Sequence, residues 1–243
     1  MSTYVLIHGA WAGRWCWEKV APLLQQAGHQ VVPLDLPGHG QDRTPLREIT
    51  LAAYTKRVCE TLDAQAEPVM LVGHSMGGIV ITQVAEERPE KIQTLVYLSA
   101  FLPQNGESLF QLASGDTGSL IMPNLMVNEE QGYMTFKEEA PLKEIICADC
   151  SDEDAAWVKS LLVPQAIAPT ATPVRTTAKN YGRVSRVYIE TLCDRAISPS
   201  MQKKMYTALP CQKIISMETS HSPFLSAPQE LARHLTSLEF MSL

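Results

Sequence analysis

A buried strand runs into the start of a helix in Val69-Met70-Leu71-Val72-Gly73-His74-Ser75-Met76-Gly77-Gly78. The four apolar residues at its start are typical of a strand that is covered on both faces. A serine with glycines two positions away on either side permits a sharp turn that lifts the hydroxyl out of the sheet. The Gly-x-Ser-x-Gly pattern alone also occurs in ordinary glycine-rich turns, but its place between a strand and a helix favours a nucleophile elbow. Ser75 is therefore our candidate nucleophile.

Short apolar runs alternate with longer segments of helical period, as is typical of an α/β protein with a mostly parallel sheet and helices on both faces. Helices are predicted over residues 15–26, 50–64, 77–88, 199–209 and 228–238, and residues 239–243 are expected to be frayed. Strands are predicted at Val5-Leu6-Ile7, Val31-Val32-Pro33-Leu34, Val69-Met70-Leu71-Val72, Leu95-Val96-Tyr97-Leu98, Val187-Tyr188-Ile189 and Ile214-Ile215.

The alternation fails over residues 103–181, where Pro, Gly and Met interrupt the pattern. A structureless connection of this length is uncommon, so the segment is expected to form a cap over one edge of the sheet. Ser151 followed by Asp154 is a capping pattern that predicts the start of a helix. We interpret the chain as one domain over residues 1–243, with residues 103–181 as a helical cap.

Composition and charge argue against two classes of partner, nucleic acids and membranes. The chain has 243 residues, a mass of 26.9 kDa, a formal net charge of −6 and a pI of about 5.5. An acidic surface does not attract phosphates, so we expect no nucleic-acid partner. No apolar run approaches the roughly 20 residues that span a bilayer, and no secretion signal is visible at the N-terminus, so a cytoplasmic protein without membrane contact is expected.

The cysteines give little evidence of a metal site. Six are scattered along the chain, and we expect them to be reduced thiols. Cys147 and Cys150 have C-x-x-C spacing, but neither a second pair nor a nearby histidine completes a zinc site. We therefore expect no metal and no organic cofactor.

A nucleophile elbow needs a general base, and in this fold pattern the histidine comes last along the chain. Two histidines follow Ser75. His234 lies in a predicted helix, where its spacing indicates a surface or half-buried position. His221 lies in a loop after the predicted strand at Ile214-Ile215, where a side chain reaches the carboxyl edge of the sheet. His221 is our candidate base.

An acid must orient that imidazole and stabilise its protonated form. Asp194 follows the strand at Val187-Tyr188-Ile189 and is the first choice, with Glu190 as runner-up. Asp194 could instead be an ordinary turn aspartate. Four acidic residues of the cap are interpreted as a charged, solvated helix start: Asp149, Asp152, Glu153 and Asp154.

Acyl transfer creates an oxyanion that fixed backbone N–H donors stabilise. Met76, which follows the nucleophile, is expected to supply one donor. The turn after the first strand, in Leu6-Ile7-His8-Gly9-Ala10-Trp11, is expected to supply the other at Ala10. We interpret His8 as a structural hydrogen-bonding residue.

These motifs together resemble the α/β-hydrolase superfamily, and in particular the branch of plant methyl esterases and hydroxynitrile lyases. The resemblance covers nearly the whole chain and includes His8-Gly9-Ala10, the elbow, Ala100-Phe101-Leu102-Pro103 and the segment around His221. It implies a triad of Ser75, Asp194 and His221, with oxyanion donors at Ala10 and Met76. His74 and the turn Pro37-Gly38-His39-Gly40 look more like bacterial esterases, some of which cleave bulky pyrethroid esters.

Two positions separate esterases from lyases in this branch. The lyases carry threonine where this chain has Gly9 and lysine where it has Ser222. Without the lysine no cation stabilises departing cyanide. Without the threonine, we expect the space beside the oxyanion donors to stay open for an ester carbonyl. The resemblance therefore favours hydrolysis.

The expected function is a carboxylesterase for a hydrophobic small-molecule ester, acting as a monomer or homodimer. A non-catalytic small-molecule receptor and an amidase or lactonase with the same triad remain alternatives. Packing on the first helix explains Trp11, Trp15 and Trp17 better than a ligand cage does, and packing within the cap explains the cap methionines equally well. Six residues are assigned to the substrate pocket: Trp11, His74, Phe110, Leu120, Met126 and Trp157.

Overall fold

The structure, a computed structural model, describes residues 1–238, and the fraying expected at residues 239–243 lies outside the described residues. Its strands are β1 (Thr3–Ile7), β2 (Gln30–Leu34), β3 (Val69–His74), β4 (Ile92–Leu98), β5 (Leu125–Asn128), β6 (Tyr133–Phe136), β7 (Gln165–Ala166), β8 (Arg186–Thr191) and β9 (Lys213–Met217).

Six strands form the main sheet in the order β2-β1-β3-β4-β8-β9, and each neighbouring pair is parallel. All six predicted strands lie within this sheet. Because the strands are parallel, their carboxyl ends meet at one edge. The order reverses between β1 and β3, and in open α/β sheets a ligand binds at the carboxyl ends beside such a switch point.

The helices confirm most of the predicted positions, because those predicted over residues 50–64, 77–88, 199–209 and 228–238 are all present. The α-helices are α1 (Ala21–Gln26), α2 (Leu51–Asp63), α3 (Gly77–Glu87), α4 (Leu109–Ser114), α5 (Leu142–Ile146), α6 (Asp152–Leu161), α7 (Ile167–Ala171), α8 (Pro199–Ala208), α9 (Pro223–Ser226) and α10 (Pro228–Ser237).

The single helix predicted over residues 15–26 is wrong. The structure has a 3-10 turn at Arg14–Trp17 and then α1, which begins only at Ala21. Pro22 explains the break, because it has no N–H to donate to the carbonyl of Glu18 and its ring clashes with that carbonyl. A proline is tolerated in the first turn of a helix, where it stands in α1.

Alternation along the strands builds a core on each face of the sheet. In β1, Val5 and Ile7 join a cluster with α2, α3 and α8, whereas Tyr4 and Leu6 join a cluster with α1 and α10. Successive strand residues point to opposite faces, so one strand contributes to both cores. The predicted cover of helices on both faces is therefore confirmed.

The segment over residues 103–181 contains the helices α4 to α7 and also a small sheet that the sequence did not predict. This sheet is antiparallel, in the order β5-β6-β7. Gly132, with a φ of 72°, closes the turn between β5 and β6. The helix predicted at Ser151 is confirmed as α6, and the Ser151 hydroxyl accepts a hydrogen bond from the Asp154 N–H. Within residues 1–238, no helix is long and apolar enough to span a membrane.

Candidate active site

Ser75 occupies a strained turn at the carboxyl end of β3. Its φ is 52°, a left-handed value that is uncommon for residues other than glycine. The turn requires small neighbours: a Cβ on Gly73 would lie 2.7 Å from the Gly77 carbonyl oxygen, and one on Gly78 would lie 2.1 Å from the Phe101 carbonyl oxygen. The backbone geometry expected for a nucleophile elbow is therefore present, with α3 beginning at Gly77.

His221 and Asp194 are in direct contact although they are 27 positions apart. Nδ1 of His221 lies 2.8 Å from Oδ2 of Asp194, and both residues are buried. Asp194 also accepts hydrogen bonds from the backbone N–H groups of Ala196 and Ile197 and from the Thr191 hydroxyl. These directional contacts fix the carboxylate, which in turn fixes the imidazole ring.

Ser75 and His221 line the same cavity at the sheet edge. Because Nδ1 of His221 faces a carboxylate, a neutral ring carries its proton there and keeps a free lone pair on Nε2. Within residues 1–238 no hydrogen bond joins the Ser75 hydroxyl to His221. Contacts between a nucleophile and its base are often long before substrate binds.

The alternative acid, Glu190, and the alternative base, His234, make contacts away from Ser75. Glu190 accepts hydrogen bonds from the Tyr206 hydroxyl at 3.1 Å and the Ser216 hydroxyl at 2.7 Å. His234 lies on α10, 3.5 Å from Glu230, and is not part of the cavity wall. Of the four acidic residues within 103–181 that the sequence indicates to be solvated, Asp149 is exposed as expected, and its carboxylate also accepts two hydrogen bonds from Ser220.

The two expected oxyanion donors lie beside the nucleophile. Ala10 and Met76 both line the cavity that contains Ser75. The elbow packs directly against the end of β1, since a Cβ on Gly77 would lie 3.0 Å from the carbonyl oxygens of Ile7 and His8. This packing brings the turn after β1 and the turn after β3 to the same place.

The cavity wall is apolar and carries no charge. Within residues 1–238, no Asp, Glu, Lys or Arg side chain lines it. Trp11, His74 and Phe110 lie in the wall, as the sequence predicts. The sequence missed much of the apolar wall, including Phe101, Ile121, Leu125, Val127, Phe136, Ile146 and Phe224.

Three predicted pocket residues do not line the cavity. Met126 is 52% exposed and is not part of the wall, although its neighbours Leu125 and Val127 line the cavity. Leu120 is likewise absent from the wall, although the residues on either side of it contribute. Trp157 packs edge-on against Trp15 at a centroid distance of 5.1 Å. Its role is packing between α6 and the first 3-10 turn.

Two buried histidines support the turns around the nucleophile. His74 donates from Nε2 to the carbonyl oxygen of His221 at 2.9 Å. Burial, with His221 and His8 nearby, holds the pKa of His74 well below its usual value. His8 accepts a hydrogen bond from the Leu36 N–H at 3.1 Å and contacts the Gly9 carbonyl oxygen at 2.7 Å, which confirms its structural interpretation. Burial lowers the pKa of His8 to about 3.

The space beside Gly9 is filled, contrary to the sequence-based expectation that it stays open. A Cβ on Gly9 would lie 2.8 Å from the Cβ of Ser75 and 3.0 Å from Nδ1 of His74. Separations under about 3 Å require a neighbour to move. Glycine at this position therefore allows close packing of the turn after β1 on the elbow.

The C-x-x-C pair consists of two buried free thiols, Cys147 and Cys150. In the part of the chain that the structure describes, no group of three or more His, Cys, Asp or Glu side chains could hold a metal ion. The pair accordingly has no third ligand among residues 1–238.

A family comparison agrees with this geometry. Residues 4–234 match the sequence model of the alpha/beta hydrolase family. The chain belongs to that family. Methylesterase 9 of Arabidopsis thaliana is 32% identical to this α/β-hydrolase over 252 residues, covering 98% of each chain. The carbendazim hydrolyzing esterase of Nocardioides sp. (strain SG-4G) is 33% identical over 249 residues, covering 98% of this chain and 100% of that protein.

Solved structures support the same fold for this α/β-hydrolase. A crystal structure of a pyrethroid hydrolase from Sphingobium faniae JZ-2 matches with a TM-score of 0.87 and 26% identity, over 98% of this chain and 96% of that chain. The expected α/β-hydrolase fold is confirmed, as is the resemblance to plant methylesterases and bacterial esterases. This α/β-hydrolase thus has relatives named as esterases in both plants and bacteria.

Proposed function

We propose that the protein is a serine carboxylesterase that hydrolyses a neutral, hydrophobic ester, with residues 103–181 as its cap. One observation carries the proposal: the strained Ser75 lines the same cavity as His221, and His221 is paired with Asp194. Relatives named as esterases support the same reaction class. No metal or organic cofactor takes part in the proposed reaction.

In the first half-reaction, the Ser75 oxygen attacks the ester carbonyl carbon while Nε2 of His221 removes its proton. Asp194 stabilises the imidazolium that forms. The carbonyl oxygen becomes an oxyanion, which accepts hydrogen bonds from the backbone N–H groups of Ala10 and Met76. The tetrahedral intermediate collapses, the alcohol leaves with the proton from His221, and an acyl group remains on Ser75.

In the second half-reaction, His221 removes a proton from a water molecule, which attacks the acyl carbon. The same donors hold the second oxyanion, and Ser75 regains its proton when the acid leaves. Each proton is exchanged through Nε2 because Asp194 occupies Nδ1.

The substrate class follows from the cavity wall. A charged ester would lose its hydration in this cavity and find no opposite charge on the described wall. Aromatic and branched residues such as Phe101, Val127 and Phe136 favour apolar groups on the ester. Met122 and Met134 add thioethers that adapt to irregular shapes. We therefore propose a bulky apolar ester as substrate.

Elimination of cyanide is disfavoured by the residue that follows the base. Ser222, which stands where a lysine is found in the lyases, donates its hydroxyl to the Ile146 carbonyl oxygen at 2.5 Å. It supplies no cation for a departing cyanide ion. Hydrolysis is the reaction that these residues support best.

The test is Ser75→Ala, assayed with p-nitrophenyl esters. We expect hydrolysis to be abolished, while the free energy of unfolding changes by less than about 1 kcal/mol because only a hydroxyl is removed. Ser160→Ala, at an exposed serine of α6, is the matched control and should keep wild-type turnover. An acyl adduct on Ser75 should be detectable by mass spectrometry in the wild type. Retained turnover in purified S75A would exclude the serine mechanism.

Methyl salicylate, short p-nitrophenyl esters and a pyrethroid, assayed side by side, test the proposed substrate class. We expect the larger apolar esters to give the higher kcat/KM. A preference for a charged ester would contradict the proposal.

A further inference from the structure

The segment from Ile146, the last residue of α5, to Asp149 contacts the residues on both sides of His221. The backbone N–H of Ser220 donates to Oδ2 of Asp149 at 3.0 Å, and the Ser220 hydroxyl donates to Oδ1 of the same carboxylate. On the other side, the Ser222 hydroxyl donates to the carbonyl oxygen of Ile146 at 2.5 Å. Two residues of the cap therefore hold the short stretch that carries the candidate base.

The two donors of Ser220 depend on Asp149 because they are withdrawn from solvent. Ser220 is only 1% exposed, so its donors have little direct access to solvent, and the exposed carboxylate of Asp149 accepts from both. A buried donor that loses its acceptor is destabilised by its full desolvation cost. Asp152 is a useful contrast: its side chain is 95% exposed and pairs on the surface with Lys143.

The contacts that His221 itself makes do not fix the backbone on its N-terminal side. Asp194 holds Nδ1 of the ring, and His74 holds the carbonyl oxygen. The peptide between Thr219 and Ser220, one residue ahead of His221, is held at the Ser220 N–H by Asp149 and at the Thr219 carbonyl by the Cys193 N–H. A shift of this peptide would carry the Cα of His221 with it and move Nε2 relative to Ser75.

We propose that Asp149 is a positioning residue for His221: it joins the cap to the loop of the base and holds Nε2 at the place where the Ser75 proton must be collected. The inference rests on the proposed function in that His221 is taken as the base. Asp149 itself does not touch the reacting atoms. Its effect is on the geometry of the chemical step, where a displacement of about 1 Å can cost about 100-fold in rate.

The experiment compares three variants in the full-length protein with a p-nitrophenyl ester. D149A should lower kcat about 10-fold to 100-fold with KM changed less than about twofold, because the base moves and the cavity wall does not. D149N should recover most of the rate, since an amide can accept from the Ser220 N–H and donate to its hydroxyl. D152A removes a neighbouring carboxylate that has no such contact and should keep wild-type kcat and KM.

Hydrogen–deuterium exchange provides a readout that does not depend on esterase activity. Peptides that contain residues 219–222 should exchange faster in D149A than in the wild type, and at the wild-type rate in D152A. If the wild type hydrolyses no ester, the proposed function fails, and equal exchange in D149A and D152A would then also overturn the positioning role. If the wild type is active and D149A keeps wild-type kcat, only the positioning role is overturned.

If D149A does not fold, D149S provides a second test of the positioning role. Its hydroxyl keeps the exposed turn polar but is too short to reach both donors of Ser220. We expect the same loss of kcat, with KM again changed less than about twofold. Wild-type kcat in folded D149S would overturn the proposal.

Discussion

Lowering the pH from 6.5 to 5.0 is expected to destabilise the protein through His8. Burial lowers the pKa of this residue from 6.5 to about 3 in the folded state. The neutral ring contacts the Gly9 carbonyl oxygen at Nδ1 and accepts the Leu36 N–H at Nε2. A proton on Nε2 would remove that acceptor and place a charge in the core. The folded state therefore stays unprotonated where the unfolded chain binds a proton.

The magnitude follows from linkage between protonation and folding. A group whose folded-state pKa is depressed below 6.5 contributes stability that is complete above pH 6.5 and is lost as the pH falls towards 3. Between pH 6.5 and 5.0, the unfolded state gains about 1.6 kcal/mol from protonation of one histidine. His39 and His74 also have pKa values lowered mainly by burial, so the whole protein should lose more than this.

The assay is urea denaturation of the wild type and of His8→Gln at both pH values. Glutamine keeps an acceptor for the Leu36 N–H but does not titrate in this range. The wild type should lose about 1.6 kcal/mol more free energy of unfolding than the variant over the interval. His39 and His74 are retained in both proteins, so the comparison isolates the titration of His8 together with its electrostatic coupling to these two neighbours. Equal losses in the two proteins would refute the assignment of a neutral, buried His8.

Two further substitutions test the geometry around Ser75. Asp194→Asn should lower kcat about 10⁴-fold, because an amide no longer enforces the tautomer of His221 that has a free Nε2; kcat within tenfold of the wild type would contradict that role. Gly9→Thr should destabilise the protein by about 1 to 3 kcal/mol and sharply lower ester turnover, because its Cβ would lie 2.8 Å from that of Ser75. Thermal unfolding and ester turnover, measured together, check this prediction. Wild-type values for both in G9T would contradict it, because the turn at Ser75 would then accommodate the added side chain.

The sequence predicted the main sheet and the residues at its edge because these depend on local signals. Ser75, Asp194 and His221 each follow a predicted strand, and parallel strands place such residues at a common edge. Periodicity also separated His221 in a loop from His234 on a helix. The single helix predicted over residues 15–26 is wrong for a local reason, because Pro22 interrupts the helical pattern.

The cap could be predicted only in part because its structure depends on contacts between distant segments. The strands β5 and β6 are four residues each and are joined by a turn with Gly132, a hairpin signal that was present but weak. Without the hairpin, the exposed position of Met126 could not be assigned. The contact of Asp149 could not be predicted for the same reason: local charge correctly indicates exposure, but the partner Ser220 is 71 positions away.

The cap contributes directional contacts to the core as well as apolar walls. Gln165 of β7 is fully buried and bonds to His39 and Tyr54, and the indole of Trp11 donates to the Met134 carbonyl oxygen. Apolar packing tolerates sliding, whereas hydrogen bonds to buried groups fix orientation. Together with the hydrogen bonds between Asp149 and Ser220, these bonds fix the position of the cap relative to the main sheet. Substitutions in the cap should therefore separate into two classes, those in the wall that change KM and those at the polar contacts that change kcat.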